Sequence, residues 1–431
     1  MRPDALFLGL DIGTSGVRTA VVDGHGGTVA AHAVPMHARA LGEGVDAEVW
    51  WNAARECLGA QVAALPDPGA LVALAIDGTS GTMVLTDPAG DPAGPGLMYD
   101  SRGFEAESAR IAPHAPPGSI ARGAGSALAR FLRLVAISDA RARHLAHQAD
   151  LVAVRLTGAP GRSDESNALK TGFDAEARRW PGWIEATGAP LGMLPRVVPV
   201  GAPFGTIAPG AAAALGLPPG LRLVAGATDS VAAFLAAGTR APGAAVTSLG
   251  STLALKVVSP VRVEDPARGV YSHRIGDAWL AGGASNVGGR ALLRHFTPER
   301  IAALSERIDP ARDSGLAYRP LPGPGERFPV ADPDLRPVLA PRPEDDALFL
   351  HGMLEGIART EAEGYRALAS LGAPYPTRVL TAGGGARNGT WGRMRARLLG
   401  VPVSALEDAE ASVGMARLAR DACLQGADGR N

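Results

Sequence analysis

The stretch Leu6–Asp23, LFLGLDIGTSGVRTAVVD, constrains this chain more than any other. Two apolar runs, Leu6–Leu10 and Val17–Val22, flank the hexapeptide Asp11-Ile12-Gly13-Thr14-Ser15-Gly16. Branched and aromatic residues on either side of a Gly/Ser/Thr turn predict a β-hairpin, and its first strand closes on an acid. Its glycines let the main chain bend and come close to a ligand, and Thr14, Ser15 and the turn N–H groups are donors. An acid beside such a turn suits Mg²⁺ on a polyphosphate, because Mg²⁺ prefers carboxylate, water and phosphate oxygens. A surface hairpin whose Asp merely orders a turn is the plainer alternative, so the hairpin needs partners elsewhere in the chain.

Size and charge narrow the options. At 431 residues the chain exceeds what one hydrophobic core serves, which predicts two domains. A formal net charge of −1 argues against nucleic acid or an acidic membrane as partner. Cys57 and Cys423 stand far apart, without the spacing of a disulfide framework or a zinc site, and fit a reducing, cytoplasmic setting. No signal peptide and no apolar run of membrane-spanning length is read from the sequence.

Further along, Thr28–Pro35 reads as a third strand and Asp46–Ala64 as a helix. Leu71–Asp87, LVALAIDGTSGTMVLTD, resembles the opening hairpin in its chemistry: strand, Gly/Ser/Thr turn, strand. Residues 103–150 read as largely helical, with Leu128–Ile137 as the clearest core face. Leu151–Leu156 reads as a strand, and Arg162–Thr171 as a polar loop. Leu221–Asp229 is an apolar strand running into a small-residue turn with an acid, followed by an apolar helix to Ala237. Pro242-Gly243 marks a boundary between domains 1–241 and 242–431. Ala245–Val258 then repeats the donor-rich hairpin, so that the two halves look like a duplicated domain with a ligand between the copies. Asp345–Leu371 keeps a 3.6-residue period, and Arg378–Thr381 is a strand opening into Gly383-Gly384-Gly385 ahead of a helix over 390–399. A triple glycine admits a flat ligand face without Cβ interference, or is a flexible turn.

In this order, the segments resemble the FGGY carbohydrate kinases, members of the actin-like ATPase superfold. The resemblance is strongest at 6–23, 71–102, 222–256 and 347–418. It implies a two-domain α/β, ribonuclease-H-like fold with duplicated domains around a central cleft, and ATP and Mg²⁺ as cofactors. Residue by residue, it implies that Asp229 in GATDS is the catalytic base and that Asp11 holds Mg²⁺, directly or through water, and the sugar hydroxyls. Gly13, Thr14 and Ser15 match the γ-phosphate turn, and Gly250, Ser251 and Thr252 the second phosphate hairpin. Gly383, Gly384 and Asn388 match the adenosine motif. Glu355-Gly356-Ile357 and Glu410-Ala411-Ser412-Val413-Gly414 match helices flanking that adenosine site. Asp100, with Arg102, is either a sugar contact or half of a structural ion pair.

The substrate is to be read at Asp77-Gly78-Thr79-Ser80-Gly81-Thr82-Met83. Xylulokinases carry Ser-Gly-Gln-Met-His at the matching place, whereas Asp-Gly-Thr-Ser-Gly-Thr resembles a compact branch associated with D-ribulose, with Ser80 as a sugar ligand. The expected activity is therefore transfer of phosphate from ATP to D-ribulose, by a monomer or homodimer. A D-xylulose kinase, or a sugar-responsive ATP-binding protein with slow hydrolysis and no transfer, is the alternative. A chaperone-like ATPase ranks below both.

Overall fold

The computed structural model describes residues 4–408 and 410–428. In chain order the elements that position the site are β1 (Leu6–Ile12), β2 (Gly16–Val22), β3 (Thr28–Pro35), α1 (Glu48–Ala63), β4 (Leu71–Gly78) and β5 (Met83–Thr86). Next come α2 (Ala127–Ile137), β6 (His144–His147), α3 (Gln148–Thr157), α4 (Glu165–Ala168), β7 (Pro203–Thr206), β8 (Arg222–Thr228) and α5 (Asp229–Leu235). The remainder supplies β9 (Ala244–Leu249), β10 (Leu253–Ser259), β11 (Ala278–Ser285), α6 (Pro298–Ser305) and α7 (Asp346–Ser370). It closes with β12 (Arg378–Ala382), α8 (Gly389–Leu399), β13 (Val403–Ala405) and α9 (Ala411–Asp428).

The chain divides into two compact units. The first takes the chain to Gly238, the short segment His273–Gly276 and the stretch from Glu410 onward; the second takes Thr239–Ser272 and Asp277–Ala409. This differs from a single cut at 241/242, because α9 returns to the first unit.

One topology is built twice. In the first unit the sheet order is β7-β8-β4-β1-β2-β3. β1, β2 and β3 form an antiparallel meander, and β4 then β8 add in parallel on the free side of β1. In the second unit β11-β10-β9-β12-β13 lie side by side. Here β9, β10 and β11 are the meander, and β12 then β13 add in parallel on the free side of β9. Duplication, which the sequence carries only in short hairpin motifs, is thus visible in strand order and direction. No helix among the described residues is long and apolar enough to cross a membrane.

The first sheet is covered on both faces, which is why β1 reads as an almost unbroken apolar run. The packing of α9 on β1 leaves no room for a side chain at Gly9, where a Cβ would lie 1.9 Å from the Ser412 carbonyl oxygen and 2.4 Å from the Ala416 nitrogen. The same helix meets α5 at Gly414, where a Cβ would stand 1.9 Å from the Ala232 carbonyl oxygen.

Two expected elements differ. The stretch 71–87 is not a hairpin: both edges of β4 are taken by parallel strands, β1 and β8, so β5 leaves the sheet and pairs antiparallel with β6. Leu151–Leu156 is helical, within α3. A short apolar run does not by itself distinguish a buried strand from a buried helix. Here Asp150 accepts from the His147 N–H at 2.9 Å to start the helix, and Gly158 ends it in the left-handed conformation.

Replacing Gly9 by Ala is expected to destabilise the first unit by about 3 kcal/mol, because main chain on both sides would have to shift. Urea unfolding checks this; a midpoint equal to that of the parent would disprove the close α9–β1 packing.

Candidate active site

Parallel strands of an α/β sheet present their C-terminal ends to a common side, where ligands bind. Here β8, β4 and β1 are adjacent, and each ends on or beside an acid. Asp11 is paired in register with Asp77, Ala227 is likewise paired with Asp77, and Asp229 follows β8 as the first residue of α5. The fold thus brings together Asp11 and Asp229, which the sequence singled out, and adds Asp77, which it did not.

Their surroundings differ. Asp11 is 5% exposed and receives Arg18 Nη1 at 3.3 Å on Oδ2. Burial pushes its carboxyl above the usual range, against the opposing pull of Asp77 and Arg18. Asp77 is fully buried, and neither of its oxygens has a hydrogen-bond partner within bonding geometry. Burial, then the charges of Asp11 and Asp229, push its carboxyl well above the ordinary value. Asp229 is half-buried, and its Oδ1 accepts from the Ser230 N–H at 2.6 Å. The signal for Asp77 in the sequence is an acid ending an apolar strand, the same signal that Asp11 gives.

The turn from Asp77 is held from the side. Gln148, at the start of α3, accepts through Oε1 from the Thr79 N–H at 2.9 Å and from Thr79 Oγ1 at 2.7 Å. The Ser80 hydroxyl is buried without a hydrogen-bond partner. Asp100 is exposed on its turn and faces Arg130; among the described residues no ion pair joins it to Arg102. Gly13, Thr14 and Ser15 form the β1–β2 turn, closed by the Gly13 N–H on the Gly16 carbonyl, and both hydroxyl-bearing residues are exposed.

The second unit holds a cavity of about 650 Å³, of a size for a small-molecule ligand. Gly250 and Ser251 from the β9–β10 turn, Ile301 and Ser305 from α6, and Gly384, Asn388 and Trp391 are on its wall. At Gly383, beside this wall, main chain crosses main chain. Gly383 sits in the left-handed region (φ 85°), and a Cβ on it would lie 2.7 Å from the Leu249 carbonyl oxygen. Gly383 and Thr252 are not among the lining residues. Asn388 caps α8 by accepting from the Trp391 N–H at 3.0 Å, and its Nδ2 donates to Ser305 Oγ at 2.8 Å. It therefore ties the triple-glycine turn to α6.

Behind this wall lies a buried ion pair. Arg395 on α8 donates to both oxygens of Glu361 on α7, at 2.6 and 2.7 Å, and to Thr381 Oγ1 on β12 at 2.7 Å. Glu361 also accepts from Thr247 Oγ1 on β9 at 2.6 Å. The strands that carry both turns of the cavity are thereby fastened to the two helices. Trp391 Nε1 donates to the Leu354 carbonyl, which ties α8 to α7 one residue before Glu355. The Glu410–Gly414 segment belongs to the first unit.

Residues 245–423 match the C-terminal domain of the FGGY family of carbohydrate kinases. Over those residues the chain resembles that family's C-terminal domain. Members of that family, among them xylulose kinases and L-fuculokinases, are sugar phosphotransferases. The chain is 28% identical to an L-fuculokinase of Salmonella typhi over 252 residues, 55% of the chain, and spans about half (51%) of that relative's length. It is 27% identical to a xylulose kinase of Streptomyces coelicolor over 94% of the chain and 85% of the relative. A crystal structure of a xyloylose kinase from Brucella ovis superposes with a TM-score of 0.86 at 27% identity, over 99% of this chain and 91% of that one. The xylulose kinase of Rhodospirillum rubrum, at 23% identity and a TM-score of 0.83, shares the fold.

The acid row makes a stability prediction. The native Asp77 carboxyl holds its proton more tightly than the unfolded one, so its contribution to stability is full below about pH 4 and is lost as the pH rises through the native value. Asp77→Asn, which cannot ionise, should show a flatter fall in urea midpoint between about pH 4 and pH 8 than the parent. Parallel curves for the two proteins would show that Asp77 is not held protonated.

Proposed function

We propose that this chain is an ATP-dependent pentulose kinase that phosphorylates D-ribulose to D-ribulose 5-phosphate. The observation that carries the reading is the row Asp229, Asp77 and Asp11 at the ends of three adjacent strands, with the partnerless Ser80 hydroxyl on the turn after Asp77. Three buried or half-buried acids in a row cost stability, which makes them a poor structural choice and a good chemical one. The relatives' printed names, xylulose kinase and L-fuculokinase, support a sugar as acceptor. The Asp-Gly-Thr-Ser-Gly-Thr turn is the reason for preferring D-ribulose.

In this reading Asp229 accepts the proton of the sugar hydroxyl as its oxygen bonds to the γ-phosphorus and the bond to the β,γ-bridging oxygen breaks, releasing ADP. Asp11, relieved of part of its burial cost by Arg18, orients sugar hydroxyls. Neutral Asp77 keeps a third negative charge out of the row. The cavity of the second unit takes the nucleotide, its flat face against the main chain at Gly384. Asp11 is also the carboxylate that would hold Mg²⁺, directly or through water. A single available carboxylate beside a donor-rich turn fits an ion that draws most of its shell from phosphate and water. The chemistry that ion supplies is neutralisation of phosphate charge. The spacing and burial of Cys57 and Cys423, both free thiols, accord with a cytoplasmic enzyme.

The names of the relatives favour D-xylulose as a second reading, and the same assay decides between them. ADP release with ATP-Mg²⁺ should rise strongly with D-ribulose over D-xylulose, L-fuculose, glycerol and no sugar. Asp229→Ala should lower sugar-dependent turnover by about 10²–10⁴-fold. Preference for D-xylulose would overturn the sugar assignment, and slow hydrolysis indifferent to every sugar would overturn the kinase.

A further inference from the structure

β8 delivers Asp229, but its last residues lack a strand on one side. The pairing with β7 covers Arg222–Val224 and is extended by the Ala225 N–H on the Ala202 carbonyl. Beyond that point the ladder continues on the β4 side alone, through Ala227 and Thr228. The open edge is taken up by side chains from Arg162–Thr171, the segment that reads in sequence as a polar loop. It is instead buried: Asp164, Ser166 and Asn167 are each 2% exposed or less.

The local structure follows from Asp164. Its Oδ1 accepts from the N–H groups of Ser166 at 2.9 Å and Asn167 at 2.8 Å, capping α4, and its Oδ2 accepts from Asn167 Nδ2 at 2.7 Å. So held, Asn167 Nδ2 also donates to the Ala227 carbonyl at 3.2 Å. Ser166 Oγ accepts from the Thr228 N–H at 3.2 Å, and it lies 3.2 Å from both Thr228 Oγ1 and His273 Nδ1. The two residues immediately before Asp229 are thus gripped by main-chain bonds on one edge and side chains on the other.

We infer that Ser166 and Asn167, fixed by the Asp164 cap, are positioning residues that set the main chain from which the Asp229 carboxyl projects. The arrangement is costly. Burial, with the charge of Asp150 next, raises Asp164 to about 7, and Asn167 Oδ1 is left without a partner. Merely closing a strand edge does not require a buried acid to orient two further side chains. A base that must meet a hydroxyl in line with phosphorus does require a fixed origin, because misplacement by about 1 Å can cost about 10²-fold in rate.

The inference rests on Asp229 as the base, and a double-mutant cycle separates the two claims. With ATP-Mg²⁺ and whichever sugar of the panel is turned over fastest, Ser166→Ala and Asn167→Ala should each lower kcat by about 10- to 100-fold. KM for sugar and ATP should stay within about threefold, measured where circular dichroism shows each variant folded. In an Asp229→Ala background the same changes should alter residual product formation, read by mass spectrometry, by less than about threefold, since there is no base left to position. An undiminished kcat in both single variants, or an equal penalty with and without Asp229, overturns the positioning role while leaving the kinase standing. Parental activity in Asp229→Ala overturns the base assignment, and the inference with it.

Discussion

The first unit depends on one strand, β4, being hydrogen-bonded in parallel on both edges. A strand so placed is buried on both faces and both sides, and it carries the acid Asp77 to its end with no donor to satisfy it. Burial cost and the neighbouring charges of Asp11 and Asp229 push that carboxyl well above its ordinary range. From this follow the relief of charge in the row, the freedom of Asp11 to pair with Arg18, and the ejection of β5 to find another partner in β6. Local sterics then decide the rest. The glycines at 9 and 414 are required where α9 lies main chain to main chain with β1 and α5.

The second unit solves a different problem with the same topology. Its turns must form a cavity wall without side chains, so rigidity has to come from behind. The Glu361–Arg395 pair supplies it, joined to Thr247 and Thr381 on the two strands that carry the turns. A fully paired and hydrogen-bonded buried ion pair contributes little net stability, but leaving one partner alone would be severe, so the four groups hold one arrangement. Asn388 performs the corresponding task at the surface, spending its side chain on α8 and Ser305. The sequence motif around it is thus as much a construction as a contact.

Several residues were legible without coordinates because their signals are local. Asp11 and Asp229 each follow an apolar run, the hairpins at 6–23 and 245–258 announce themselves by Gly/Ser/Thr between β-formers, and Gly383 to Gly385 interrupt a strand–helix unit. Asp77 carries the same local signal as Asp11 but was read as part of a hairpin turn, since pairing partners cannot be seen from one strand. Asp164, Ser166 and Asn167 resemble any polar loop. Only their burial, and the unpaired edge of a strand some sixty residues away in sequence, gives them a task.

By itself the amino-acid sequence determined what depends on near neighbours: the alternation and apolar runs of strands, the caps and glycines that end helices, the order of the acid-bearing segments and, through them, a family resemblance. Tertiary structure decided what depends on which edges and faces meet. It placed α9 with the first unit, turned Leu151–Leu156 into helix, sent β5 to β6 in place of β4, and set three acids side by side. The physical reason is that hydrogen-bond edges and carboxylate charges act through space. A strand's partners, and the proton on a buried acid, are fixed only when distant segments have been brought together.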